Sequence, residues 1–134
     1  MTVNLLELEP GQVGPLIGGE LLGMSVYDVP PGEASSSYHY EVGREEWLIV
    51  LAGRATVRMP DGEMQLEPWD TLLFPEGEAG AHQVVNRTSE PLRVAVWSTK
   101  QVPNATVYPD DDRIFVRPQN LLFRLSDALD TWSG

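Results

Sequence analysis

Four side chains in this sequence have the types and spacing to share one doubly charged ion: His39, Glu41, Glu46 and His82. The first three fall within YHYEVGREEW, residues 38–47. The only other histidine, His82, follows in FPEGEAGAHQVVN. Two imidazoles with carboxylates make the donor set of non-haem iron sites and also suit manganese, zinc, cobalt or nickel. The chain has no cysteine, which excludes a thiolate site and a disulfide framework. Spacing alone leaves two accounts standing: a divalent metal site, and core histidines satisfied by ordinary hydrogen bonds, which are the commoner case.

The elements that carry these residues must be strands for the convergence to work. Side chains alternate along a strand, so His39 and Glu41 project from one face while Tyr38 and Tyr40 take the other. The chain then reverses around Gly43 and returns as EEWLIVLA, where Glu46, Leu48 and Val50 share a face and Glu45, Trp47 and Ile49 share the opposite one. With Leu48 and Val50 pointing inward, Glu46 becomes a carboxylate at the mouth of an apolar cavity. That placement is costly unless a cation or donor compensates it. His82, Val84 and Asn86 fall on one face of a later strand. Asn86 is a candidate donor to a ligand, and Tyr38 and Tyr40 are candidates to line a substrate mouth, with turn capping and ordinary packing as the plainer alternatives.

Short apolar or alternating stretches ended by Gly, Pro, Asp or Asn recur through the chain at 21–29, 35–41, 45–52, 54–59, 63–68, 71–74, 81–86 and 92–98. This is the pattern of an all-β sandwich or small barrel, with a tight hairpin at Pro60-Asp61-Gly62. The tail changes character. PNATVYPDDD, residues 103–112, reads as an exposed acidic loop, RIFVRP as one further strand, and SDALDTW, residues 126–132, as a short C-terminal helix capped by Ser126. A length of 134 residues predicts one domain.

Twenty acidic against nine basic residues give a formal charge of -11, which repels phosphate backbones and anionic lipid heads, so neither nucleic acid nor a membrane surface is an expected partner. The N-terminus lacks the basic start and apolar core of a signal peptide, and a cytoplasmic location is expected. The N-x-T triplets at Asn86 and Asn104 then read as chance matches to a glycosylation sequon. Arg44 and Arg54 are expected to pair with the abundant acidic groups. No phosphate-binding glycine loop follows Gly18 and Gly19, and nothing completes a nucleophilic triad with Ser35, Ser36 or Ser37.

PGEASSSYHYEVGREEWLIVLAG resembles the first motif of the cupin superfamily, G-x5-H-x-H-x3-4-E-x6-G, and EPWDTLLFPEGEAGAHQVVN resembles the second, G-x5-P-x-G-x2-H-x3-N. Glu46 and Gly53 match the glutamate and closing glycine of the first; Pro75, Gly77, His82 and Asn86 match the second, with two extra residues between Gly77 and His82. The likeness spans about residues 25–98, leaving 99–134 as a C-terminal extension of a single domain over 1–134. It implies a cupin-type jelly-roll β-barrel with a divalent metal (Fe, Mn, Zn, Ni or Co) near one end of the cavity. Gly32 stands one residue farther from His39 than the motif has it. Glu41 stands where the family usually has its second histidine, making the ligand set His39, Glu41, Glu46 and His82. Trp69 replaces the glycine of the customary Gly-Asp turn, at a position that would favour glycine if φ is positive.

Two carboxylates offset the charge of a divalent ion and make it a weaker Lewis acid, so hydrolysis by a metal hydroxide is not the first expectation. An oxygenase or isomerase acting on a small molecule fits better, with Glu41 either on the metal or off it as a base. The rival expectation is a non-catalytic barrel that binds or senses a small ligand, since the fold does not choose among activities. A homodimer is expected, because the fold exposes sheet edges that a partner commonly covers.

Overall fold

The computed structural model describes residues 2–130. Its strands follow the punctuation of the sequence. A short β1 (Gly11–Gln12) and a single-turn α1 (Gly14–Ile17) precede β2 (Leu22–Val29), β3 (Tyr40–Val42) and β4 (Glu46–Ala52). Next come β5 (Ala55–Met59), β6 (Gly62–Leu66), β7 (Thr71–Phe74), β8 (Gln83–Val85) and β9 (Leu92–Thr99). The chain ends in β10 (Asn104–Tyr108), β11 (Arg113–Arg117) and β12 (Leu121–Arg124). No helix among the described residues is long and apolar enough to cross a membrane.

All strand pairs are antiparallel and form three sheets, in the orders β1-β2-β9-β4-β7, β6-β5-β8 and β12-β11-β10-β3. Single bridges at Ala34↔Val85 and His39↔His82 sew residues 34–39 onto β8. The second and third sheets thus meet through the segment that carries His39, opposite the five-stranded sheet. The barrel interior is filled from both walls: Val29, Leu48, Val50, Phe74, Leu92 and Val94 from one side, Ala55, Val57, Leu66 and Val84 from the other. Each fully buried Val or Leu contributes roughly 1.5–3 kcal/mol relative to exposure. The alternation read along residues 45–52 holds, with Leu48 and Val50 fully buried and Trp47 exposed on the outside. Trp47 stacks there on Trp97, 5.8 Å between ring centroids.

The outer face of the five-stranded sheet is not bare. Val3, Leu5, Leu8 and Val13 pack on it against Met24, Val26, Ile49, Leu51 and Ala95. Arg93 fastens this N-terminal segment: its guanidinium donates to the Leu5 and Leu8 carbonyls at 3.0 and 2.7 Å and grips both Asp28 oxygens at 2.7 and 2.9 Å. Gly53, the closing glycine of the first motif, has φ +82°, and a Cβ there would stand 2.3 Å from the Pro91 carbonyl oxygen. No other residue fits that crossing.

Two expectations for the tail are corrected. Residues 104–108 form β10, buried between β3 and β11, instead of an exposed acidic loop. The polar members of NATVY mask a strand because their partners are distant in sequence: Thr106 donates to Glu41 at 2.8 Å and Asn104 accepts from Arg117 at 3.0 Å. Only the aspartates behave as expected. They sit in an exposed 3-10 turn, Pro109–Asp111, ended by Asp112 at φ 56°. The helix expected over 126–132 is reduced, within the described residues, to the 3-10 turn Leu125–Asp127, with Ala128 already extended. Ser126 does not cap a helix because Asp112 takes its backbone N–H at 2.8 Å and its hydroxyl at 2.6 Å. Residues 131–134 lie outside the described residues.

Trp69 occupies the glycine position of its turn and adopts the conformation that glycine would have, with φ 74°. Glu67-Pro68-Trp69-Asp70 closes with Asp70 N donating to Glu67 O at 3.0 Å, the pattern of a type II turn that demands a positive φ at its third residue. The indole is 67% exposed and loses little if removed. Trp69→Gly is therefore expected to stabilise the chain by about 1 kcal/mol, as the relief of left-handed strain exceeds the added flexibility of the unfolded chain. A urea midpoint that falls on substitution would contradict this.

Candidate metal centre

His39 ends the segment bridged to His82, and the two backbones exchange hydrogen bonds at 3.0 and 2.9 Å. This non-local pairing sets the imidazoles side by side, 4.6 Å between centroids. Phe74 stacks flat on the His82 ring from β7. Before His82 the chain makes a 3-10 turn, Glu78–Gly80, which absorbs the two extra residues of the second motif. Gly80 is required there, since a Cβ would fall 1.8 Å from the Pro75 carbonyl oxygen.

Both rings are oriented from behind. The His39 Nδ1 lies 2.9 Å from the Ser37 carbonyl oxygen, and the His82 Nδ1 lies 2.9 Å from that of Gly80. A carbonyl only accepts, so each Nδ1 must carry a proton, and a neutral ring then turns its Nε2 lone pair inward. Inward, the His82 Nε2 meets Glu46 Oε1 at 2.9 Å, and the His39 Nε2 lies 3.9 Å from the same oxygen. Two lone pairs cannot face each other at that distance without a cation between them, either a proton or a metal ion. One ligand atom each from His39, Glu46 and His82 lies within 4.8 Å of the others. Adjacent donors around an ion with bonds of about 2.1 Å are roughly 3 Å apart when they subtend a right angle; the 2.9 Å between His82 and Glu46 matches this, while His39 at 3.9 Å from Glu46 would have to draw in to share the ion.

Burial pushes the Glu46 carboxyl up, but the hydrogen bond from His82 and the charges of His82, His39 and Arg44 outweigh it, leaving the group below the ordinary carboxylate range. With a lowered folded-state value, Glu46 stabilises the metal-free fold above the ordinary carboxylate range. That contribution is lost as pH falls through the lowered value.

Glu41 is buried in the same chamber and differently held. Its Oε2 accepts from Thr106 Oγ1 at 2.8 Å and from Arg44 Nε at 3.1 Å. Its Oε1 lies 3.6 Å from the His39 Nε2 and accepts no hydrogen bond among the described residues. No buried side-chain oxygen in the described chain lacks a partner, so this Oε1 is open to the cavity. Arg44 pairs with an acidic group as expected, but with this buried one. Arg54 meets Glu67 at the surface.

The chamber has a volume of about 210 Å³ and is walled by Leu48, Val84 and Val96 around the four predicted residues. Asn86 is buried outside it: its amide donates to the Val29 and Glu90 carbonyls and accepts from Thr88, tying the β8–β9 connection. Tyr38 and Tyr40 face a separate outer groove with Pro60 and Pro109, Tyr38 lying under the Arg58 guanidinium. The lining includes polar residues absent from the sequence-based set, among them Tyr27 on β2, Thr106 and Tyr108 on β10, and Arg117 on β11. The period-2 alternation of Asn104, Thr106 and Tyr108 was the available signal. Burial, then the Glu41 charge, raise the Tyr108 hydroxyl above its usual value against the pull of Arg117 and Arg44, keeping it a proton donor.

The model of the family described as "Cupin domain" matches residues 25–98. Among solved structures, a sugar phosphate isomerase of the cupin superfamily from Silicibacter pomeroyi is 27% identical, with a TM-score of 0.82 over 91% of this chain and 79% of that one. A protein from Acidithiobacillus ferrooxidans, described provisionally as a sugar phosphate isomerase, is 25% identical, with a TM-score of 0.83 over 92% and 80%. A polyketide cyclase from Streptomyces resistomycificus shares the fold at 17% identity and TM-score 0.62, over 75% and 80%. No match was found among curated proteins.

Proposed function

This chain belongs to the cupin superfamily, and from that premise we propose that it is a metal-dependent isomerase that moves a proton between neighbouring carbons of a small hydroxy-carbonyl compound. His39, Glu46 and His82 are the residues that would hold the ion, with Glu41 beside them. Bound there, a divalent ion would polarise a carbonyl or hydroxyl oxygen and acidify the adjacent C–H. The observation that carries the reading is the divided state of Glu41, one oxygen anchored by Thr106 and Arg44 and the other open to the chamber. That is the arrangement of a positioned base, free to take a proton at Oε1 and return it one carbon away. Tyr108 stands across from His39, 5.8 Å between ring centroids, as a protonated donor toward a substrate oxygen. The volume admits only a small molecule. The sugar phosphate isomerase from Silicibacter pomeroyi, and the relative provisionally described as one, support the same reaction class.

The test is solvent deuterium incorporation into small hydroxy-aldehydes and hydroxy-ketones by protein loaded in turn with Fe, Mn, Zn, Ni and Co, with oxygen consumption followed in parallel. Deuterium uptake without oxygen consumption is expected. Oxygen consumption with a substrate would move the reading to the oxygenase, and ligand-induced stabilisation without any turnover would move it to the binding module.

We propose that the expected homodimer forms through β12. This edge strand exposes Leu121, Leu122 and Phe123 at 49, 59 and 50%, an apolar strip on both its faces. A second copy covering that edge would bury the strip and pair the open backbone groups. Light scattering is expected to give the mass of two chains, and Leu122→Glu combined with Phe123→Glu to give one. A wild-type protein monomeric at high micromolar concentration would refute the seam.

A further inference from the structure

A larger cavity of about 430 Å³ adjoins the metal chamber, the two sharing Tyr27, Arg44, Glu46, Val96 and Arg117 as walls. The outer cavity collects cations in a chain that has few. Of nine basic residues, Arg44, Lys100 and Arg117 line it. Arg54, Arg58, Arg87 and Arg93 have their own surface carboxylates, whereas Lys100 and Arg117 have no carboxylate within 4 Å among the described residues. Arg117 is half-buried, and its only hydrogen bonds among the described residues run from Nη1 to Asn104 Oδ1 and Thr106 Oγ1, at 3.0 and 3.1 Å. Both acceptors are neutral, and the guanidinium also lies over the Phe115 ring, 4.7 Å to its centroid, so no anion among the described residues answers its charge. A half-buried guanidinium without an anion is costly, and one held by neutral acceptors is aimed for an anion that arrives from outside.

Lys100 is given room by two glycines. A Cβ at Gly23 would lie 3.5 and 3.6 Å from its Cε and Cγ, and a Cβ at Gly14 would lie 3.9 Å from its Nζ. The stem therefore lies across Gly23 with the ammonium over Gly14, at the cavity mouth. Ser98 and Thr99 add hydroxyls to the lining. The one carboxylate on this wall, Glu46, is turned to His82.

We propose that the outer cavity is a phosphate seat, in which Arg117 and Lys100, with Arg44 behind them, hold the phosphomonoester end of the substrate while its hydroxy-carbonyl end enters the metal chamber. Calling the occupant a substrate rests on the isomerase reading; the seat itself does not. Two cations without a carboxylate, Arg117 and Lys100, on one cavity wall match a dianion with several oxygens better than a monoanionic carboxylate, and Arg44 behind them is already paired with Glu41. The hydrogen-bonded series Arg117, Thr106, Glu41, Arg44 couples the seat to the base, so an anion on Arg117 also steadies the Thr106 hydroxyl that anchors Glu41.

The test uses metal-free protein and inorganic phosphate, read by titration calorimetry, with malonate and acetate as comparison anions. Saturable binding of one phosphate per chain is expected, tighter than either carboxylate and weakened roughly tenfold or more by Arg117→Gln and by Lys100→Gln. Lys100 is exposed, so its variant has no folding penalty, and Arg117→Lys is expected to recover part of the loss. Absence of saturable phosphate binding, binding unchanged in both glutamine variants, or malonate binding as tightly as phosphate would overturn the seat. Metal affinity of the wild-type chain is measured separately: phosphate binding without metal binding sinks the isomerase reading and keeps the seat, and the reverse sinks only the seat.

Discussion

Replacing His82 with alanine is expected to lower divalent metal affinity by more than about 100-fold, beyond the loss typical of removing a residue that merely supports a ligand. His82 offers one of the three atoms that could hold the ion, and its Nε2 stands 2.9 Å from Glu46. The substitution also leaves a gap beside Phe74 and strips the Gly80 carbonyl of its donor, for a stability cost of about 2–4 kcal/mol. The two effects separate in one measurement. A ligand present at 100 times its Kd raises stability by about 2.7 kcal/mol, so the wild-type chain is expected to melt several degrees higher with metal than without. The His82→Ala chain is expected to melt lower than wild type and show no rise with metal. If elemental analysis found the variant carrying wild-type metal, the assigned site would be wrong. His82→Gln, which keeps more of the packing, is expected to lose the metal effect with a smaller fall in stability.

Glu41→Gln is the second large effect and works on the reaction instead of the metal. If the open Oε1 of Glu41 carries the proton, the amide is expected to lower kcat by about 10²–10⁴-fold with metal content retained. The substitution is nearly isosteric, and the amide oxygen can still accept from Thr106 and Arg44. KM is expected to move little, because the proposed phosphate seat and the three residues that would hold the metal are unchanged. A variant that loses both metal and activity would show that Glu41 is a fourth ligand, as the spacing of His39 and Glu41 first allowed. A variant with wild-type deuterium exchange would remove Glu41 from the chemistry altogether. Thr106→Val gives a graded control: it removes the hydroxyl that fixes the base without touching it, and a fall in kcat between those of wild type and Glu41→Gln is expected.

Strand alternation in YHYEVGREEWLIVLA was enough to put His39 and Glu41 on one face and to choose Glu46 over Glu45, because side-chain direction along a strand is a local property with a period of two. The barrel was legible for the same reason, since strand and turn repeat through residues 21–98. At Trp69 the family resemblance only raised the question of a positive φ, because Pro68 suits turns of either type; the structure answers it with φ 74°. Where those rules ran out, the readings failed. NATVY looked like part of an acidic loop because three aspartates follow it, and nothing within ten residues reveals that Thr106 has a buried carboxylate to bind. Ser126 looked like a helix cap because its competing partner, Asp112, is fourteen residues upstream.

The amino-acid order by itself therefore determined the β character, the faces of the strands, the choice of imidazole and carboxylate over thiolate, and the family. The tertiary structure alone decided that His39 pairs with His82 across the sheet, that Glu41 is held by Arg44 and Thr106 with one oxygen left open, and that Arg117 and Lys100 meet at one cavity mouth. The physical reason is the range of each interaction. Alternation and turn geometry are set by neighbours along the chain, whereas the pairings of β3 with β10 and of residue 39 with residue 82 join segments 43 or more residues apart, and are chosen by the packing of the whole barrel.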